Sequence, residues 1–342
     1  MNLRDLSIKE LQDYFKSIGE PSFRGSQLFT WLSKGIESFD EITDFSKELR
    51  ISLSQKAADG EITLGNTTIL ERQVSKDGTI KYLFELEDGN AVESVFMKYK
   101  YGNSICISSQ AGCRMGCAFC ASTLNGLDKN LSPGELLMQI IAAEKDTGEK
   151  INHVVIMGSG EPFDNYDNII KFLNLVHEPK GLNLGLRNIT VSTCGIVPKI
   201  TDFAKDMPQV NLAISLHAPT DEMRSSIMPI NKKYPITELL KTCDEYVKQT
   251  NRRITFEYAL IKGFNDTEKD AKELATLLRG RLCHVNLIPL NSVKERNMSG
   301  TAKSEAAGFL NTLNKAGIPA TLRRELGSDI DAACGQLRHK HK

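Results

Sequence analysis

Residues 111–120 read AGCRMGCAFC, and three cysteines, Cys113, Cys117 and Cys120, stand there at a CxxxCxxC spacing with glycine or alanine beside them. Three thiols are an odd number for a disulfide framework and one short of a closed zinc site, which takes four ligands. Soft thiolates favour iron–sulfur clusters, zinc or copper(I). A four-iron cluster usually takes four cysteines, so three would leave one iron with an open coordination position. The competing structural reading is a zinc site completed by a distant ligand such as Cys106 or a histidine.

The loop follows a strand-like stretch, NSICISS, and the pattern continues through HVVIMG, NITVST, VNLAISL, ITFEYALI, HVNLIPL and PATLRR with helical patterns between. Repeated strand–helix units predict an α/β fold with a parallel sheet and helices outside. About six units are too few for the eight-unit barrel, so an open, partial (β/α)6-type barrel is expected over residues 103–325, its reactive groups on loops at the C-terminal strand ends. The clearest helix start is SPGE, with Ser132 as N-cap, Pro133 in the first turn and Glu135 closing a capping box. Upstream, Leu6, Leu11, Phe15, Leu28, Trp31 and Leu32 recur at helical spacing and predict a small helical domain over residues 1–60. Residues 61–102 contain TIKYLFEL and AVESVFMKY, punctuated by KDG and EDG, and predict a short antiparallel β extension. Residues 326–342 form a C-terminal loop with Cys334 and a basic tail, RHKHK.

The composition, 40% hydrophobic and 25% charged, is that of a soluble globular protein. No apolar run approaches the ~20 residues of a membrane span. The N-terminus, MNLRDLSIKELQDYF, lacks the apolar core of a secretory signal, which predicts a cytoplasmic protein. Lys plus Arg and Asp plus Glu are both 43, so an RNA partner would need a local basic patch. Eight cysteines without a signal read as a reducing compartment, where clustered cysteines are metal-binding or catalytic. Cys194, Cys243 and Cys283 read as buried small hydrophobes.

Other strand ends carry polar residues. GSGEP (158–162) is a glycine-rich turn expected to let backbone approach a ligand, with Glu161 able to accept from an ammonium group. An ordinary strand–helix turn is the bland alternative. Ser192 in VSTCG, Ser215 and His217 in ISLHAP and Asn291 in LIPLN lie on successive strand ends and outline one pocket.

These stretches carry a resemblance. CxxxCxxC after the first barrel strand is typical of radical S-adenosylmethionine (SAM) enzymes. The chain resembles the RlmN/Cfr family of radical SAM RNA methyltransferases over nearly its whole length, through ISSQAGCRMGCAFCAST, MGSGEP, ITVST, ISLHAP with MPIN, VNLIPLN and the particular GSDIDAACGQL. The resemblance implies a [4Fe-4S] cluster on Cys113, Cys117 and Cys120 whose open iron chelates SAM. It implies SAM contacts from Gly160, Glu161, Ser192, Ser215, Leu216, His217 and Asn291. It implies that Cys334 receives a methyl group, that Cys106 is the second catalytic cysteine and that Glu93 is a proton acceptor. Ser159 and Cys194 stand where the family often has other residues.

The chemistry of the family explains the extra thiols. Carbon 2 of adenine lies between two ring nitrogens and is too electron-poor to attack the methyl of SAM, so a radical route is needed. Two SAM molecules serve each turnover: one methylates Cys334, the other yields the radical that activates that methyl. The resulting protein–RNA adduct is resolved with the help of Cys106, which forms a transient disulfide with Cys334. An external electron donor such as flavodoxin or ferredoxin resets the enzyme. The implied substrates are an adenosine in the peptidyl-transferase region of 23S rRNA and, for RlmN-like members, the adenosine next to the anticodon of some tRNAs. Cfr-type methylation at C8, which confers antibiotic resistance, is the alternative; ASTLNG and TLRRELGSDID look more like RlmN. A reading from another class is a non-catalytic zinc module that binds RNA. Candidate RNA contacts are Lys98, Lys100, Lys232, Lys233, Arg323, Arg324, the RHKHK tail and the N-terminal helices with FRGSQLFTWL.

Overall fold

A computed structural model of the chain describes residues 1–291, 298–324, 326–327 and 329–330. Cys334 and the basic tail lie outside the described residues.

Three helices open the chain: α1 (Ile8–Ser17), α2 (Phe23–Ser33) and α3 (Lys47–Ala58). Ser7 starts α1 with a capping box, its hydroxyl accepting from Glu10 N while the Glu10 carboxylate accepts from Ser7 N at 2.7 Å. Leu11 and Phe15 fall on the buried face of α1, and each such fully buried side chain contributes about 1.5–3 kcal/mol. A Cβ on Gly25 would lie 2.4 Å from Gln12 N, so only glycine lets α1 and α2 approach this closely. Arg4, 2% exposed, donates to the carbonyls of Leu64, Leu32 and Ile36 and ties this helical layer together.

Next come β1 (Thr68–Val74), β2 (Ile80–Glu85) and β3 (Ala91–Tyr99), antiparallel to one another, and β3 pairs antiparallel with β4 (Gly102–Ile107). The segment after β4 forms a two-stranded hairpin, β5 (Gln110–Gly112) and β6 (Leu127–Asn130), and the three cysteines lie between its strands. Strands and helices then alternate: α4 (Pro133–Thr147), β7 (His153–Ile156), α5 (Tyr166–His177), β8 (Ile189–Thr193), α6 (Val197–Asp206), β9 (Asn211–Ser215), α7 (Asp221–Ile227) and α8 (Ile236–Thr250). The series closes with β10 (Ile254–Leu260), α9 (Glu268–Leu278), β11 (Cys283–Pro289), α10 (Lys303–Lys315) and β12 (Ala320–Leu322). One ten-stranded sheet runs β1-β2-β3-β4-β7-β8-β9-β10-β11-β12, and every pair from β4 onward is parallel. The expected partial barrel and antiparallel extension are both present. The Ser132 capping box of α4 forms as read, with Ser132 N donating to Glu135 at 2.9 Å. No helix among the described residues is long and apolar enough to cross a membrane.

Strand alternation decides what lines the interior. Ile105, Ile107, Val154, Ile156, Val191, Leu212, Ile214, Phe256 and Leu287 join the apolar core beneath the helices. Their neighbours point to the other face, where register sets Val95 beside Cys106, Cys106 beside Val155, Ser192 beside Ala213, and Glu257 beside both Ser215 and Asn286. The inner face is thus rich in small and polar residues. The N-terminal helices share the outer core and dock on α4 and α5: Asp5 accepts from Gly134 N at 2.7 Å, Lys145 donates to Gly35 O at 2.9 Å, and Lys171 pairs with Glu10 at 2.8 Å.

Candidate active site

The cysteine loop is folded back on itself and pinned to the barrel. Cys113 N donates to Gly126 O at 2.8 Å, Ala118 N to Ile227 O at 2.8 Å, and Thr123 Oγ1 to the carbonyls of Cys117 and Cys120 at 3.1 and 3.0 Å. Cys113 and Cys117 are buried and Cys120 is half-buried. Cys117 sits in an apolar patch with Cys194, Ile227, Met228 and Ile261, joined by Met115 and Phe119. Burial pushes the Cys113 thiol up to about 12, and the neighbouring Cys120 adds to it. Burial, then Cys120 and Cys113, push Cys117 higher still. Buried thiols whose pKa values neighbouring thiols push up further need a cationic partner to sit there as thiolates. That is the donor chemistry of an iron–sulfur centre. Among the described residues no three His, Cys, Asp or Glu side chains are gathered as one coordinated metal ion would need. The fit therefore rests on donor type, shared loop and mutual electrostatics. No disulfide links any two of the described cysteines.

The glycines of the GSGEP turn also serve the protein's own packing. Gly160 has φ +108, and a Cβ there would lie 2.6 Å from the Gln110 Cβ. A Cβ on Gly158 would lie 2.8 Å from Ile107 O. On that side the glycines admit the protein's own 107–110 segment. Glu161, 3% exposed, accepts from Phe163 N at 2.9 Å and Cys194 N at 2.7 Å, while its own N donates to Gln110 Oε1 at 2.8 Å. Burial raises its pKa against these amides. Its carboxylate clamps the end of β7 to the end of β8, and its remaining lone pairs can accept from an ammonium. Ser159 Oγ in this turn and Ser122 Oγ in the cysteine loop are buried without a hydrogen-bond partner among the described residues.

At the end of β9, Leu216 is fully buried, with its N donating to Glu257 O at 3.0 Å. His217 adopts φ +57, and its Nδ1 accepts from Ala259 N at 2.9 Å, which leaves the ring hydrogen on Nε2. Burial, then the charge of Arg224, push its pKa down to about 3, so the ring is neutral. It meets Phe119 of the cysteine loop edge-on at 4.8 Å between centroids. Ser192 and Ser215 are half-buried on the inner face, and Asn291 is exposed just beyond β11.

Two buried residues escaped sequence reasoning here. Arg224 on α7 is 0% exposed and donates to Leu216 O at 3.1 Å, Ser215 O at 3.0 Å, Cys194 O at 2.7 Å and Asn231 Oδ1 at 2.9 Å. It fastens the ends of β8 and β9 to the MPIN stretch. Asn265 donates to His217 O and Ala259 O, both at 2.7 Å.

Across the inner face, Lys81 stands opposite Val95 and Leu83 opposite Glu93, while Val95 stands opposite Cys106. Lys81, Glu93 and Cys106 therefore share one face. Lys81 Nζ and the Glu93 carboxylate pair at 2.8 Å, with side chains 0% and 6% exposed. Lys81 was missed; a lone lysine within TIKYLFEL was the available signal. Cys106 packs with Val95 and Met97, and Val155, Met157 and Leu326 lie against them.

The candidate RNA contacts divide. Lys232 and Lys233 are exposed just after α7, whose Ile227 holds the cysteine loop, and Arg323 and Arg324 are exposed beyond β12. Lys98 and Lys100 instead sit at the β3–β4 turn, at the end of β4 away from the cysteine loop, and Lys98 is tied to Glu149.

The comparisons with known proteins agree with this geometry. Residues 107–275 match the family model of the radical SAM superfamily, and residues 1–58 match that of the ribosomal RNA large subunit methyltransferase N-terminal domain. A protein of Desulforamulus reducens named "Probable dual-specificity RNA methyltransferase RlmN" is 51% identical, over 100% of this chain and 97% of its own length. One of the same name from Alkaliphilus oremlandii is 53% identical, over 100% and 98%. The crystal structure of a radical SAM methyltransferase from Sphaerobacter thermophilus superposes with a TM-score of 0.93 at 43% identity, covering 98% of each chain. With a three-cysteine loop set at the strand ends of a partial barrel, and full-length relatives at this identity, the chain belongs to the RlmN family of the radical SAM superfamily.

Proposed function

We propose that this chain is a SAM-dependent methyltransferase of the RlmN type. It methylates C2 of an adenosine in the peptidyl-transferase region of 23S rRNA and of the adenosine next to the anticodon in some tRNAs. The observation that carries the reading is identity of 51–53% to proteins named RlmN across the full chain. The same observation favours C2 over the Cfr-type C8 reaction.

Cys113, Cys117 and Cys120 would hold a [4Fe-4S] cluster, which supplies the electron that cleaves SAM and opens a radical route to an electron-poor carbon. Around it the chain's own groups do the positioning. Glu161 offers lone pairs to the SAM ammonium from a carboxylate already fixed by two amides. His217, neutral and with Nε2–H available, is a donor that adds no charge beside the thiols. Ser192 and Ser215 face the interior from adjacent strands, and Asn291 and the Gly160 turn border the same end of the sheet. Cys334 receives the first methyl by displacement at sulfur and later carries it onto adenine C2. Glu93 takes the C2 proton. The Cys106 thiolate attacks the Cys334 sulfur and a Cys106–Cys334 disulfide forms; the electron pair of the broken carbon–sulfur bond stays on the methylene carbon attached to C2, which takes up a proton to become the methyl group. An external reductant then restores both thiols by exchange, and an external electron donor, flavodoxin or ferredoxin in class, would serve the cluster. Exposed Lys232, Lys233, Arg323 and Arg324 border the entry and suit phosphate contacts.

The test is anaerobic turnover of reconstituted protein with SAM, a reductant and either protein-free 23S rRNA or unmodified tRNA, followed by nucleoside mass spectrometry. 2-Methyladenosine from both RNAs is the expected result. 8-Methyladenosine would move the chain to C8 chemistry, and no methylated adenosine from cluster-loaded protein would overturn the RNA assignment.

A further inference from the structure

The β1–β2 turn lies at one edge of the ten-stranded sheet and β12 at the other. The chain nevertheless joins them directly. Gly327 lies five positions after Leu322, the last residue of β12, and its N donates to Asp77 Oδ2 at 3.0 Å. Five residue steps span at most ~18 Å, so the curled sheet brings its edges within that reach and the chain crosses the gap.

The landing point is specific. In the 75–79 turn, Asp77 uses its other oxygen to accept from Thr79 N at 2.9 Å, so one carboxylate shapes the turn and holds Gly327. Asp329 returns the interaction: its carboxylate accepts from the Ser75 hydroxyl and, at 3.1 Å, from Lys76 N. These amide and hydroxyl donors hold both carboxylates below their ordinary pKa, against a desolvation cost that is the largest single influence on Asp77. Leu326, immediately before, packs against the Val95, Met97 and Cys106 patch. Gly327 is buried with φ +65, and Ile330 N donates back to Gly327 O at 3.1 Å. Cys334 follows Ile330 four positions later in the sequence.

We propose that Ser75 and Asp77 are positioning residues for the methyl-carrying thiol: the turn anchors residues 327 and 329 beside Cys106 and thereby sets the reach of Cys334. This rests on the reading of Cys334 as the methyl acceptor. It gives the β extension a task in the reaction, since β2, which leaves the turn, carries Lys81, the partner of Glu93 on β3. The anchor acts on both steps that need Cys334, its methylation by SAM and its later encounter with Cys106.

The test compares wild type with Ser75→Ala, Asp77→Ala and Ser75→Thr, all loaded with cluster. The first readout is the single-turnover rate of Cys334 methylation, from the mass of the C-terminal peptide. The second is SAM affinity, and the third is hydrogen exchange of the peptide from residue 326 onward. Ser75→Ala and Asp77→Ala are expected to slow Cys334 methylation roughly tenfold or more, with faster exchange in that peptide, unchanged SAM affinity and unchanged cluster absorbance. Ser75→Thr, which keeps the hydroxyl, should restore the rate. Methylation at the wild-type rate in both alanine variants overturns the anchor. An equal loss of SAM affinity overturns it too, since that would mark a general disturbance of the barrel. If wild type itself leaves Cys334 unmethylated, the underlying functional reading fails instead.

Discussion

Replacing Lys81 with methionine isolates a single electrostatic decision in the fold. The ammonium and the Glu93 carboxylate pair at 2.8 Å with almost no solvent contact, their side chains 0% and 6% exposed. Removing one partner strands the other charge in a poorly solvated wall, which costs about 3–5 kcal/mol. At 1.4 kcal/mol per decade this lowers the folding equilibrium by roughly two to three and a half powers of ten. Removing both charges is far milder, because a buried pair recovers little more than its own desolvation. Lys81→Met should therefore be strongly destabilised, and Lys81→Met with Glu93→Leu should regain most of the loss. The assay is urea denaturation of the three proteins under anaerobic conditions, with SAM-free cluster-loaded samples and far-ultraviolet circular dichroism. The double variant should be stable yet slow in releasing product, since the proposed proton acceptor is gone. A Lys81→Met protein as stable as wild type would refute the reasoning, as would a double variant no better than the single.

Three further outcomes follow from the site. Alanine at Cys113, Cys117 or Cys120 should each abolish the brown iron–sulfur absorbance and bound iron, whereas Cys243→Ala should keep both; metal analysis and visible spectra decide. Cys106→Ala should accumulate a covalent protein–RNA adduct under turnover, seen as a band sensitive to nuclease, and Cys334→Ala should keep its cluster and form none. His217 lends the fold an acid sensitivity. Its folded pKa, about 3, lies below the ordinary 6.5, so the unfolded chain binds the proton first and stability falls as pH drops through 6.5 toward 3. The loss at pH 5 is about 2 kcal/mol. His217→Asn, which tolerates the positive φ, should flatten the stability profile between pH 6.5 and 5, measured by denaturation midpoints.

The seven barrel strands were legible because most are short apolar runs with β-branched residues set between helical patterns, and the β4 to β12 pairs follow from their parallel crossovers. Ser132 and Glu135 announced α4 through purely local chemistry. The cysteine spacing located the reactive loop, although the β5–β6 hairpin that carries it has strands too short to leave a periodic signal. What stayed hidden depends on register or on partners far along the chain. Lys81 and Glu93 are two ordinary charges until β2 and β3 pair in one alignment; a slip of one residue would put them on opposite faces. Arg224 reads as a surface helix residue, and only the docking of α7 aims it at three carbonyls. A second role of Gly158 and Gly160 was hidden for a similar reason: on one side they admit the protein's own residues 107–110, about fifty positions earlier. Lys98 was a plausible phosphate contact by charge alone, but β3 carries it away from the cysteine loop and onto Glu149.

The central claim is that this chain builds a methyl group onto RNA through a radical on its own Cys334. Turnover with SAM deuterated at the methyl group, read by mass spectrometry of the product nucleoside, tests it most directly. Hydrogen abstraction from the methyl on Cys334 predicts 2-methyladenosine that has lost one of the three deuterons. A product that keeps all three would mean direct polar transfer from SAM and would contradict the account.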